Sequence, residues 1–131
     1  TLAAKSGVDV RIVTPCHPDK KLVHVATRSY YRDLIEAGVR IYEYSMGFMH
    51  SKIFVADDTT AAVGTTNLDF RSLYLHFECG VMLYGCDTVK KIKEDFIRTL
   101  DLCEEITAES CRVSIITRLF QSLLRLLAPL L

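Results

Sequence analysis

Residues 47–67 constrain the fold more than any other part of the chain; they read GFMHSKIFVADDTTAAVGTTN. Residues 48–56 are mostly apolar, β-branched or aromatic, which predicts a strand. Asp57, Asp58, Thr59 and Thr60 make a polar turn cluster. Ala61, Ala62 and Val63 then read as a short returning strand. An antiparallel hairpin is the expected local structure. Strand side chains alternate, so His50 and Lys52 share one face while Met49, Ser51 and Ile53 take the other. A tight turn centred between Asp58 and Thr59 would set Thr65 opposite Lys52 and Asn67 opposite His50. Facing residues in such a pair approach to about 5 Å. The hairpin would therefore gather a histidine, a lysine, a threonine and an asparagine on one surface.

Those side chains have a chemistry in common. Neutral imidazole is a nucleophile near neutral pH, and imidazolium is an acid. An ammonium beside it stabilises charge that develops on phosphoryl oxygens. Amide and hydroxyl groups donate further hydrogen bonds to the same oxygens. No carboxylate cluster suited to a metal lies nearby in the sequence, so neither a metal nor another cofactor is expected. The expected chemistry is metal-free phosphoryl or phosphatidyl transfer through a histidine.

At 131 residues the chain is one domain with enough length to bury a core. Sixteen basic and 16 acidic side chains leave no net charge. General nucleic-acid binding normally leaves a basic surplus, so no nucleic-acid partner is expected. The five cysteines, Cys16, Cys79, Cys86, Cys103 and Cys111, show no C-x-x-C spacing and read as free thiols. There is no run of 18 apolar residues to span a membrane.

The remaining pattern predicts a strand over 8–14, a loop over 15–19, and a helix over 21–37 stopped by Gly38. A strand over 39–44 leads into the hairpin. A short turn or helix over 69–73, a strand over 77–84 and a helix over 88–104 with Asp87 as N-cap follow. The last helix carries Val89, Ile92, Phe96, Leu100 and Cys103 along one stripe. This is an α/β fold with a mixed β-sheet flanked by helices. Residues 1–106 form the domain, and 107–131 form an amphipathic tail. The tail stripe comprises Ile115, Ile116, Leu119, Phe120, Leu123, Leu124, Leu127 and Leu131, with Arg118 and Arg125 on a polar edge. Such a helix lies on anionic lipid or docks against protein. His17 is expected in solvent and His24 partly packed. Arg28, Tyr30, Tyr31 and Arg32 suit either lipid head groups or a helix face packed on the sheet. Met46, Phe48 and Met49 suit either an apolar lip for acyl chains or a core contact.

The run His50, Lys52, Asp57, Gly64, Thr65, Asn67 resembles the HKD motif of the phospholipase D superfamily. Residues 21–84 resemble more closely the second-motif half of bacterial cardiolipin synthases, through the phrases RSYYRDLIEAGVRIYEY, GFMHSK, VADD, VGTTNLDFRS and HFE. The resemblance implies a phospholipase D-like α/β/α sandwich. It implies that His50 is one of two active-site histidines and that Lys52 binds the lipid phosphate. Thr65 and Asn67 would complete the phosphate pocket, and Glu78 would hold the other ring nitrogen of the histidine. Asp57 is the motif's aspartate. A continuing strand would point it away from His50, which predicts a role in the turn rather than in proton transfer. Relatives often carry alanine where Ser51 stands, serine or alanine where Thr65 or Thr66 stand, and asparagine where His76 stands. His76 would share the face of Glu78 and either tune the acceptor pocket or bond nearby backbone.

The resemblance further implies cardiolipin made from two phosphatidylglycerols with release of glycerol, through a phosphohistidine. A phospholipase, a phosphodiester nuclease and a non-catalytic lipid-binding half are the alternatives. Two histidines are needed and this chain has one H-x-K. The expectation is therefore the C-terminal half of a two-motif enzyme, inactive or nearly so alone. The N-terminal half of the same protein or a second copy would complete it. It would work at the bacterial membrane, with any spanning segments outside this chain.

Overall fold

The computed structural model describes residues 1–18 and 20–130. Asp19, the end of the expected 15–19 loop, and Leu131, the end of the expected tail stripe, lie outside the described residues. A short helix α1 (Leu2–Lys5) precedes β1 (Arg11–Pro15), α2 (Lys21–Ser29), α3 (Tyr31–Glu36) and β2 (Arg40–Tyr44). The hairpin strands β3 (Lys52–Ala56) and β4 (Thr60–Gly64) lead to a π-type turn (Arg71–Leu75) and β5 (Gly80–Tyr84). Helix α4 (Asp87–Leu100), strand β6 (Cys103–Ile106) and helix α5 (Ile115–Leu127) complete the chain, with a 3₁₀ turn at Ala128–Leu130.

The α/β architecture is as expected, but the strands divide into two sheets rather than one. The first is mixed, in the order β1-β2-β6; the second is antiparallel, in the order β3-β4-β5. β1 and β2 are parallel because the α2–α3 crossover separates them, and β6 returns antiparallel to β2. Helix α4 lies against β2 and β6 of the first sheet and against all three strands of the second. Val89 on α4 is wholly buried, and Ala61 on β4 is 1% exposed.

Three expected elements are corrected. The 21–37 helix breaks at Tyr30 into α2 and α3. The Ser29 hydroxyl donates to the Ala26 carbonyl at 2.5 Å, and the Ser29 carbonyl accepts from the Arg125 guanidinium instead of continuing the helical ladder. The 88–104 helix ends at Leu100, because residues 103–106 pair with the edge of β2, placing Cys103 beside Tyr44 and Ile106 beside Ile41. Strand pairing there overrides a local helical pattern. Strand β3 starts at Lys52 rather than at 48, since β4 ends at Gly64 and its ladder goes no further. The Gly38 stop is found where expected, with φ at +94°.

The core of the first sheet gathers Tyr31, Val39, Ile41 and Ile106, with Ile12, Leu34 and Ile35 packed against them. A polar network sits beside it. The Tyr31 hydroxyl is 2.7 Å from the Thr14 hydroxyl and donates to the buried Glu43 carboxylate at 3.0 Å. Arg28 meets the same carboxylate at 3.1 Å. Stripping a buried carboxylate of its partners costs about 3–5 kcal/mol, so this network fixes α2 and α3 on the sheet. Burial pushes the Tyr31 phenol well above its usual range. Of Arg28, Tyr30, Tyr31 and Arg32, Tyr31 is the one packed on the sheet; the other three are exposed, with Arg32 paired to Glu36 at 2.7 Å and Tyr30 lying under Arg125. His17 is exposed, while half-buried His24 has its imidazole pKa pushed down by burial.

Asp9 pairs with Arg11 at 2.7 Å and with Arg40 at 2.7 Å, clasping the start of β1 to the start of β2. The hydrogen bond from Arg11, then that from Arg40, hold its carboxyl down to about 2. The ionised form is therefore favoured by folding. Its contribution is complete above the ordinary carboxylate value and is lost as pH falls toward 2. Asp9→Asn is expected to melt below wild type at pH 7, with the two melting temperatures converging as pH drops toward 2. Thermal melts followed by circular dichroism over that range check this; a constant gap would remove the ion pair as the cause.

Candidate active site

The hairpin forms, but its register is one residue away from the expected one. Ala56 pairs with Thr60 and Lys52 with Gly64. The loop is Asp57-Asp58-Thr59, opened by Asp57 in the left-handed region at φ +53°. Aspartate tolerates that conformation better than most residues, which permits the odd-numbered loop. Lys93 on α4 pairs with Asp58 at 2.5 Å, pinning the turn and lowering the Asp58 carboxyl below its usual range. Thr65 is therefore not opposite Lys52, and Asn67 and His50 lie outside the ladder. Asp57 serves the turn. The length of β3, about 16 Å of extended chain, separates it from Lys52.

The row that holds Lys52 continues across the sheet through Gly64 to Gly80. Lys52 is thus the only side chain of its row. The backbones there are very close: a Cβ on Gly64 would meet the Cys79 carbonyl oxygen at 2.5 Å and the Gly80 Cα at 2.7 Å. Gly64 is required by this approach rather than by its dihedral angles. Half-buried Lys52 donates to the His50 carbonyl at 2.7 Å. An ammonium has three donors, so two remain for an anion. The His50 ring is exposed and stacks on the Phe48 ring, with centroids 5.7 Å apart and planes 14° from parallel.

Thr65 and Glu78 are brought together, though not as expected. The Thr65 hydroxyl donates to Glu78 and accepts from the Cys79 amide at 3.0 Å, while the Thr65 amide donates to the Cys79 carbonyl at 3.0 Å. Glu78 is held below the usual carboxylate range, first by the Thr65 hydroxyl and then by that of Ser72. Among the described residues Glu78 makes no hydrogen bond to His50, and the exposed Asn67 amide makes none at all. Sequence reasoning missed Ser72 and Arg71. The Arg71 guanidinium donates to Nε2 of His76 at 3.2 Å. His76 is thus engaged by the side chain of Arg71. Both missed residues stand in the run NLDFRS, whose polar density was the available signal.

Apolar side chains surround this polar centre without being covered. Met46 is 69% exposed and Phe48 66%, so neither is a core contact, while Met49 is half-buried. On the other side Leu68, Leu73, Tyr74, Leu75 and Phe77 are exposed as well.

This chain belongs to a family of phospholipase D-like domains. The family model described as "Cardiolipin synthase, PLD-like domain" matches residues 1–100. Cardiolipin synthase of Geobacillus sp. (strain WCH70) is 48% identical over 99% of this chain and 26% of its own length. Cardiolipin synthase of Halalkalibacterium halodurans is 45% identical, and cardiolipin synthase 2 of Bacillus cereus 44%, with the same coverage. The chain thus spans about a quarter of the length of these relatives. Among the described residues no helix is long and apolar enough to cross a membrane.

Gly64→Ala is expected to destabilise the protein by about 1–3 kcal/mol, since the added methyl must push β5 away. Denaturant melts of Gly64→Ala and of Val63→Ala, the exposed neighbour, give the comparison. Equal losses would show that the close approach relaxes without cost.

Proposed function

We propose that this chain is the C-terminal, second-motif half of a phosphatidyltransferase that joins two phosphatidylglycerols into cardiolipin and releases glycerol. The observation that carries it is the polar centre itself: His50 beside Lys52, on a glycine floor, rimmed by uncovered apolar loops, in a chain of this family. A phosphodiester with acyl chains needs both parts. A nuclease would want a basic surface, and the chain has no net charge.

In the proposed reaction one histidine attacks phosphorus, and the P–O bond to glycerol breaks. The other histidine protonates the departing glycerol oxygen. That histidine then takes the proton from a hydroxyl of a second phosphatidylglycerol, whose oxygen attacks phosphorus and breaks the N–P bond. His50 is one of these two histidines. Lys52 offsets the charge gained on the phosphoryl oxygens. Thr65 and Asn67 add donors, Glu78 orients and supports the imidazolium, and Asp57 shapes the turn. The Glu78 carboxylate keeps acceptor capacity for the ring beyond its bond with Thr65. The second histidine comes from the N-terminal half of the protein or from a second copy, and the work is done at a bacterial membrane surface. Residues 1–106 form the catalytic half-domain, and 107–131 a separate tail.

The test is full-length protein in anionic-lipid micelles without metal, given labelled phosphatidylglycerol. Cardiolipin plus glycerol is expected, and His50→Ala should lower the rate about 100-fold or more. Phosphatidic acid alone would make water the acceptor. Unchanged turnover by His50→Ala would overturn the assignment. The 131-residue chain alone is expected to give no product above background.

A further inference from the structure

Helix α5 is attached to the rest of the chain through Arg125 on its polar side, while Thr117, Arg118 and Ser122 of that side stay exposed. Its polar arc comprises Thr117, Arg118, Gln121, Ser122 and Arg125. The opposite arc carries Ile115, Ile116, Leu119, Phe120, Leu123 and Leu126. A surface helix normally buries its apolar arc. Here the attachment to α2 and α3 is made by Arg125. Its guanidinium donates to the Ser29 hydroxyl at 3.1 Å, to the Ser29 carbonyl and to Asp33 at 2.7 Å, and lies 4.5 Å from the centre of the Tyr30 ring. Leu124 alone of the large apolar side chains is buried. The six of the apolar arc stay in the open, from 50% exposed at Phe120 to 80% at Ile116.

Charge points to what covers them. Residues 111–131 carry three arginines and no aspartate or glutamate, in a chain that is neutral overall. Arg125 is spent on the attachment. Arg112 and Arg118 line a cavity of about 610 Å³ between α5 and the α2–α3 pair, together with Arg28 and Arg32. Among the described residues neither Arg112 nor Arg118 meets a carboxylate. An exposed apolar arc on a helix too short to span, in a segment whose exposed Arg112 and Arg118 meet no carboxylate among the described residues, matches the boundary between acyl chains and anionic head groups.

We propose that α5 docks this chain on a bilayer of anionic phospholipid, with its apolar arc in the acyl boundary and Arg112 and Arg118 at the lipid phosphates. The choice of a bilayer over a protein partner rests in part on the phospholipid-transferring reading above. Flotation of the whole 131-residue chain with vesicles tests it directly. Binding is expected to equimolar phosphatidylglycerol and phosphatidylcholine, weakening as salt rises, with little binding to phosphatidylcholine alone. Leu119→Glu with Leu123→Glu should lower vesicle affinity about tenfold or more. Both positions are exposed, at 68% and 57%, so circular dichroism melts should not change. Arg118→Glu should weaken binding several-fold and flatten its salt dependence. No flotation with phosphatidylglycerol, or wild-type flotation by the double variant, would overturn the proposal. So would loss of self-association in sedimentation without any vesicle binding, which would make α5 a contact between copies. Flotation reads no turnover, so a failure here leaves the transferase reading standing, and a failed transfer assay leaves the docking intact.

Discussion

Two small sheets share one helix, and the rest of the structure depends on that arrangement. Three strands with one covered face are close to the minimum that holds together in water. Val89, wholly buried, marks the point where α4 is held, and Ala61 of the hairpin is sealed with it. The Lys93–Asp58 pair fastens the hairpin turn to the same helix. The orientation of β3, and hence of Lys52 and the residues leading into it, is therefore referred to the first sheet through α4.

How much of this was legible in the sequence follows from the range of the forces involved. The hairpin was legible because alternation and turn chemistry are local. Its register was not, because one left-handed aspartate at position 57 adds a loop residue and shifts every pair. The break at Tyr30 depends on Arg125, whose partner Ser29 lies 96 residues away along the chain. Strand β6 is short and charged in the middle, so nothing in CEEI announces a strand until β2 offers its edge. The candidate residues His50, Lys52, Asp57, Thr65, Asn67 and Glu78 were proposed from pattern alone. Their partners were not: the Thr65–Glu78 bond joins residues brought face to face by the β4–β5 turn, and the Lys52–His50 bond folds back on its own strand.

The polar centre is economical in a specific sense. Lys52, Thr65 and Glu78 are each engaged by another protein group, with capacity left over. Lys52 gives one of its donors to backbone. Thr65 gives its single hydroxyl proton to Glu78. Burial does little to hold these groups, since His50, Thr65 and Asn67 are exposed. An anion arriving at Lys52 would compete with short, directional bonds rather than with a packed core, so the centre can rearrange without unfolding the sheet.

The glycine floor has a consequence for how such a site can vary. No side chain fits at position 64 without moving β5, so the surface beside Lys52 cannot be re-shaped by substitution there. The rims are different. Met46, Phe48, Leu73 and Phe77 stand in solvent, bound by little of the fold. Changes in what the site accepts would have to be written into those rims, with the floor kept as a fixed template. Selection for a new acceptor could then proceed by many small steps that leave stability untouched, which is the condition under which a reaction centre diversifies while its fold stays the same.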